Sequence, residues 1–533
     1  MRRLAVAVTA LALALTACSA SPQTTADAGQ PVSGGSLTWG IETEPITFNP
    51  HLYAQAKARL LVWNTFEALL THDERGGYRP WLATGYEAAA DGKAYTVKLR
   101  TGITFSDGTP FDAAAVKANI DQLRSPGYAP QVAAVQLRNL GAVTTPAPDT
   151  VVFRLTRPDV LFLDFLSSPQ GAVVSPKSLK EAKDLKAGGP ELKGTGPFVL
   201  DRYVPGQEVH FARNPAYGGS RPAYLDEVTY RFLKEPSVRV GALSSGQVQV
   251  IEGVPATDQA LITSNPDLAF SKGLNSGSAY SYYFNIAHAP FDDVRVRQAF
   301  REAVDVPTVL DAVYRGTATR AWSVVSPTSP LYDKSLENTY SGDPAEANRL
   351  LDEAGWATRD AEGFRTRNGR RLTVRLVQSA PFVRDRREIL AQTVQAAVKQ
   401  SAGIDLQVSV VDQGTATKAL ADGEYEVFDN SRADTDAGAA LDLLLHSGGA
   451  INRTGFEDPG LDALLAEGVA TADPDKRRAT YAKIQQKVIT EQALILPLYA
   501  PADQLAASRS VGGLGFEPTA GVPAGAAAIW LAK

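Results

Sequence analysis

Tyr282-Tyr283-Phe284-Asn285-Ile286-Ala287-His288-Ala289-Pro290-Phe291-Asp292-Asp293-Val294-Arg295-Val296-Arg297-Gln298-Ala299-Phe300 lies near the middle of a chain of 533 residues and changes character halfway along. It opens as an aromatic, strand-like run. Pro290 breaks any helix or central strand, because proline has no backbone N–H to donate. Asp292 or Asp293 supplies a helix N-cap, a short carboxylate accepting from the free amides of the first turn. Val296, Ala299, Phe300, Ala303 and Val304 then recur at helical spacing, one apolar stripe backed by Arg297, Arg301 and Glu302. Asp305 and Pro307 open a second helix, Val309 to Tyr314. A strand ends here and a helical lobe begins, so the stretch predicts where the polypeptide crosses from one lobe to another. A chain that crosses between lobes at a hinge often closes on something.

A chain of this length exceeds one core, so two or three domains are expected. Hydrophobic residues make up 44% and charged residues 21%, ordinary for a globular protein. The net charge of -5 and pI near 5.7 argue against a nucleic-acid partner, which needs a basic face. Cys18 is the single cysteine, so no intrachain disulfide forms.

Arg2 and Arg3 precede an apolar run from Leu4 to Ala17, a charged region and a hydrophobic region too short for a permanent span. The run ends Leu15-Thr16-Ala17-Cys18, which resembles a bacterial lipobox. Residues 1–17 are read as a signal peptide and Cys18 as the lipidated residue, which places the protein outside the cytoplasm, held at the outer face of the cell membrane by its acyl chains. Residues 18–35, rich in Ser, Thr, Pro, Gly and Ala, form a tether with a coil reach of roughly 20–25 Å.

Beyond the tether, Ser36–Ile41 reads as a first strand, Leu60–Leu70 as a helix and Tyr95–Leu99 as an alternating strand. Ser106-Asp107-Gly108-Thr109-Pro110 is a rigid turn, followed by a helix capped by Asp112. After the crossover, strand Leu372–Val377, helix Glu388–Gln400 and strand Ile404–Val411 form a strand–helix–strand unit. Leu494–Tyr499 is an apolar strand expected to return to the first lobe. Strands and helices mix without strict alternation, so the fold class is α/β with mixed sheets.

Several landmarks together resemble the family 5 solute-binding proteins of ABC importers, the group holding oligopeptide-, dipeptide- and nickel-binding proteins. They are Asn49-Pro50; Pro80-Trp81-Leu82-Ala83; Asp91-Gly92-Lys93-Ala94-Tyr95 continuing to Arg100; Thr104-Phe105-Ser106-Asp107-Gly108-Thr109-Pro110-Phe111-Asp112-Ala113; Gly194-Thr195-Gly196-Pro197-Phe198; Arg213-Asn214-Pro215-Ala216-Tyr217; the opening stretch; Leu350-Leu351-Asp352-Glu353-Ala354-Gly355-Trp356; and Ile495-Leu496-Pro497-Leu498-Tyr499. Each is weak alone; in this order over nearly the whole chain they are specific. The resemblance implies a two-lobed periplasmic-binding-protein-like fold with a hinge and an inserted subdomain. The first lobe would take 36–60, 171–283 and 498–533, the inserted subdomain 61–170, and the second lobe 284–497.

The resemblance also implies a ligand site. In peptide-binding members an acidic residue of the second lobe meets the ligand's amino terminus. The matching segment here is Asn430-Ser431-Arg432-Ala433-Asp434-Thr435-Asp436-Ala437. It points to Asp434, or in another register to Asp436; the other reading is that both cap the helix beginning near Ala439. Ser431-Arg432 stands where the family has a Trp, so Arg432 either clamps a ligand carboxylate or neutralises Asp434. Glu44 and Trp322 are further cleft candidates, with core packing the other reading of Trp322. His446 lies near a histidine that approaches the metal chelate in nickel-binding members, but its offset favours a loop histidine.

The expected function is that of an extracytoplasmic lipoprotein that captures peptides or peptide-like solutes between two lobes and passes them to ABC permease subunits, as a monomer without a cofactor. The alternative within the fold is a receptor for a metal chelate or another small anion. A hydrolase using Asp434 and Asp436 is the remote rival. The chain has no Gly-x-Ser-x-Gly, His-Glu-x-x-His or phosphate-loop motif to support an enzyme.

Overall fold

The computed structural model describes residues 29–52, 59–73, 76–128, 131–340, 342–380, 383, 385–518 and 520–532. The residues read as a signal peptide, Cys18 and most of those read as a tether lie outside them.

Among the described residues, the first lobe is built on a seven-stranded sheet in the order Leu268–Leu274, Ala502–Ser508, Val250–Glu252, Ser36–Ile41, Glu227–Phe232, Glu208–Arg213, Phe198–Val204. Ser36–Ile41 is central and parallel to both neighbours. A strand flanked on both sides buries its apolar residues fully, as Leu37, Trp39 and Ile41 do. Gly194 and Gly196 pass so close to the helix Arg59–Thr65 that a Cβ on either would meet the Thr65 carbonyl.

The inserted unit carries a four-stranded antiparallel sheet in the order Ala83–Ala88, Ala94–Leu99, Thr150–Leu155, Leu140–Ala147. The helix Ala113–Leu123 packs on it through Val116, Ile120 and Leu123, and Asp112 caps that helix by accepting from the Ala115 amide at 2.8 Å. The Ser-Asp-Gly-Thr-Pro turn is structural: Asp107 accepts from the Thr109 amide and the Ser175 hydroxyl.

The second lobe is a six-stranded mixed sheet in the order Thr319–Arg320, Ile495–Ala500, Ser278–Phe284, Val427–Arg432, Thr373–Ser379, Asp405–Val411. The expected strand–helix–strand unit is there. Thr373–Ser379 runs parallel to Asp405–Val411, and the intervening helix Arg387–Ala402 buries Leu390, Ala391, Val394, Val398 and Ala402. The apolar stripe after Pro290 forms the helix Val294–Glu302, capped by Asp293, and Asp305 caps Val306–Tyr314.

The crossing itself is displaced from its expected place. Ser278–Phe284 pairs with Val427–Arg432 and Ile495–Ala500, so it already belongs to the second sheet. The chain therefore crosses at Asn275–Gly277, not within 282–300. The return also differs: Ile495–Ala500 stays in the second sheet, and the chain leaves it at Pro501 to enter Ala502–Ser508 of the first. The cause is burial. All seven residues of Ser278–Phe284 are buried, so the aromatic run is an interior strand of the second lobe rather than the last strand of the first.

Candidate functional site

Strand order marks a candidate site. Thr373–Ser379 has Asp405–Val411 on one side and Val427–Arg432 on the other, both parallel to it. The crevice beyond the carboxyl ends of strands at such a reversal is where open α/β sheets hold ligands. The carboxyl end of Val427–Arg432 also meets both crossing segments. The Asn275 side chain donates to the Arg432 carbonyl at 2.9 Å, the Arg432 amide donates to Ser278 Oγ at 2.9 Å, and the Asn275 amide donates to the Pro501 carbonyl at 2.9 Å. Gly277 lies so near that a Cβ there would sit 2.2 Å from the Arg432 carbonyl oxygen and 2.8 Å from the Asp434 nitrogen.

The two acidic candidates separate into different roles. Asp434 is gripped by Arg432, Nε to Oδ2 2.6 Å and Nη2 to Oδ1 3.0 Å, and the side chains are 31% and 22% exposed for Arg432 and Asp434. The pair presents a cation and an anion side by side, within reach of solvent. Asp436 caps the helix Ala437–Leu445 by accepting from the Gly438 amide at 2.7 Å. Arg477, from the helix Pro474–Gln486, holds the same carboxylate at two points, 2.5 and 2.8 Å. Burial works against the Asp436 charge, but the Arg477 guanidinium keeps its carboxyl below the usual range.

Facing Asp436 from the inserted unit is a group that no motif announced. Asp164 lies in the short helix Phe162–Ser167; Tyr78 Oη donates to it at 3.0 Å, and His72 Nε2 stands 3.5 Å away. Burial raises the Asp164 carboxyl well above its ordinary value, with repulsion from Asp436 the next contribution. Burial lowers the His72 imidazole to about 4. Two further contacts join the same lobes: Arg138 to Asp442 at 2.8 Å, and the Val160 amide to the Val469 carbonyl at 2.9 Å. Sequence patterns could not find His72, Tyr78, Asp164 or Arg477 because they converge from four separate elements.

The remaining candidates each make contacts within their own lobe. Glu44 accepts from Tyr203 Oη at 2.6 Å and from the Gly206 amide at 2.7 Å, so it fastens the hairpin of Phe198–Val204 and Glu208–Arg213. Those two bonds hold its carboxyl below the usual range. Trp322 packs on the second-lobe core, edge-on to Tyr340 and under the Arg320 guanidinium. His446 is a loop histidine whose Nδ1 accepts from the Gly448 amide at 3.0 Å. Among the described residues no group of three or more His, Cys, Asp or Glu could hold a metal ion, and no helix is long and apolar enough to cross a membrane.

A family model described as bacterial extracellular solute-binding proteins, family 5 middle, matches residues 77–452. The chain is 29% identical over 490 residues to the glutathione-binding protein GsiB of Shigella dysenteriae serotype 1, covering 89% of this chain and 91% of that protein. It is 28% identical to GsiB of Escherichia coli K12 over the same shares. Among solved structures it is similar to NikA from Brucella suis in complex with Fe(III)-EDTA, with a TM-score of 0.81 and 27% identity over 92% of this chain and 98% of that one. The oligopeptide-binding protein AppA from Bacillus subtilis, solved with a nonapeptide, shares the fold at a TM-score of 0.76 and 23% identity, over 95% of this chain and all (100%) of that one.

Proposed function

The chain belongs to family 5 of the bacterial extracellular solute-binding proteins, and on that premise we propose that it encloses a peptide or peptide-like solute between its lobes and delivers it to an ABC permease. Proteins of this family capture solutes; they are not enzymes. The observation that carries the ligand reading is the Arg432–Asp434 pair at the strand end beside the hinge. An adjacent guanidinium and carboxylate match a zwitterion. The solute's ammonium replaces part of Arg432's hold on Asp434, and its carboxylate turns to Arg432. Peptide main chain adds along the strand end as a further extended segment, and water fills the pockets around its side chains.

The similar proteins carrying the glutathione-binding name fit a small solute of this kind. The solute touches both lobes, so it shifts the protein towards the closed state by its differential affinity for that state. Arg2, Arg3, the apolar run to Ala17 and Cys18 support a lipoprotein anchored by acyl chains at the outer face of the cell membrane, close to its permease. The metal-chelate alternative draws on the likeness to NikA. Of its two named residues, His446 is held in its own turn, its Nδ1 accepting from the Gly448 amide.

Mass spectrometry of what leaves the natively purified protein on denaturation tests the reading. Amine-bearing peptides or one peptide-like compound are expected. A metal chelate without an amine, or no solute at all, overturns it.

A further inference from the structure

The second lobe meets the inserted unit along a buried polar seam that the solute reading does not use. His72, Tyr78 and Asp164 stand on the inserted side. Asp436, Arg477 and Tyr481 stand opposite, with Asp434 further out. Arg477 gives two of its N–H groups to Asp436 and its Nε to the Gly468 carbonyl at 3.0 Å. The facing arginine is thus committed to one carboxyl of the two. Asp164 is left with the Tyr78 hydroxyl at 3.0 Å and, at 3.5 Å, the His72 imidazole, whose Nε2 is hydrogen-bonded to Ser167 Oγ at 2.8 Å. Were the lobes to rotate about the crossings at Asn275–Gly277 and Pro501, the two sides would part and His72 and Asp164 would meet water.

We propose that the His72–Asp164 pair carries one proton in the closed protein, so that closure captures a proton from neutral or alkaline solution, expels one into strong acid, and is tightest in mild acid. Two opposed carboxyls with one committed arginine cannot both stay ionised without cost. In the open protein the solvated pair holds no proton at about pH 8 and one, on the imidazole, at about pH 5. In the closed seam burial disfavours the imidazolium and the second carboxylate alike, and one proton neutralises the pair. Closing near pH 8 therefore takes up a proton, closing near pH 5 takes up none, and closing below about pH 4 must release one. Arg59 reinforces burial on the imidazole, whereas Asp436 and Asp73 oppose it; Arg477 offsets part of the repulsion on Asp164.

The test uses the full chain with Cys18→Ser and a dye pair on Asp121→Cys and Lys418→Cys, exposed residues of the inserted unit and the second lobe. Energy transfer between the dyes reports the closing constant against pH without added solute. The constant is expected to rise by up to tenfold per pH unit from pH 8 towards 6, and to fall again below about 4. Asp164→Asn, permanently neutral, should lose the rise and instead fall about fourfold from pH 8 to 6, as the solvated imidazole gains a proton that the closed seam expels. His72→Gln should keep the alkaline rise and lose the acid fall, which decides the matter even where Asp164→Asn does not fold. A parent constant that ignores pH between 8 and 6, or an Asp164→Asn protein with the parent slope, overturns the inference. The inference rests on two-lobe closure and not on which solute is carried. Closure that titrates in a protein releasing no solute defeats only the function proposed above, and a released solute with closure indifferent to pH defeats only this inference.

Discussion

Arg432 grips Asp434 from two residues away on the same strand end, Nε to Oδ2 2.6 Å and Nη2 to Oδ1 3.0 Å. The pair sits against Gly277 and Asn275, the residues through which the chain passes between lobes. The charged pair and the lobe crossing are therefore adjacent, so a solute that engaged the pair would touch the crossing segment.

Asp434→Asn should weaken an amine-bearing solute by on the order of 2–5 kcal/mol, because it removes the charged half of a partly desolvated contact. Titration calorimetry with the solute recovered from the native protein measures it. Unchanged affinity removes Asp434 from the site. Arg432→Ala should spare the amine contact and weaken solutes in proportion to their dependence on a carboxylate.

Gly277→Ala should impair closure and stability together. The added methyl meets the Arg432 carbonyl oxygen at 2.2 Å and Asp434 backbone atoms at 2.8 and 2.9 Å. Backbone cannot swing aside like the end of a long side chain, so hinge and strand end must part. A drop in both melting temperature and solute affinity is expected; an unaltered protein shows that the hinge tolerates the shift.

Arg477→Met should destabilise by about 3–5 kcal/mol, since it strands the Asp436 carboxylate in a buried seam. Adding Asp436→Ala to it should recover much of the loss, although the helix Ala437–Leu445 then lacks its cap. Denaturant unfolding of the two single variants and the double variant gives the coupling.

Acid sensitivity should draw on His51 as well as His72. His51 is buried, with Nε2 3.2 Å from the Ala172 carbonyl, and burial lowers its imidazole to about 4. The folded state binds fewer protons than the unfolded one. Its stability is therefore whole above the unfolded value of about 6.5 and is lost as pH falls from there towards 4, by about 3 kcal/mol at the lower end. His51→Gln should flatten that arm of the stability profile. A His51→Gln protein with the parent's acid slope assigns the loss to other groups.

The elements were largely legible because each is set by local rules. The stripe after Pro290 has helical period and a cap, and the unit from Thr373 to Val411 has the length and β-branched content of strand, helix and strand. Asp107 and Asp112 behave as the turn and cap their spacing implies. The candidate segment Asn430 to Asp436 could be picked out as a segment, but not the partners its side chains take. Trp322 and Glu44 carry chemistry suited to a cleft, yet one fills the core and the other ties a hairpin. Residue type does not say which way a side chain points.

The sequence by itself determined the class of fold, the family resemblance, the strand–helix–strand unit and the acidic segment, since periodicity, caps and ordered landmarks are properties of neighbours in the chain. Tertiary structure decided where the chain changes lobes, because Ser278–Phe284 becomes a second-lobe strand only by pairing with Val427–Arg432 and Ile495–Ala500. It also decided which carboxylate faces which partner. Arg432 lies two residues from Asp434, but Arg477 reaches Asp436 from forty-one residues away, and the charge of Asp436 acts on Asp164 of the inserted unit. Burial and charge act through space, so contacts between distant parts of the chain set what those groups do.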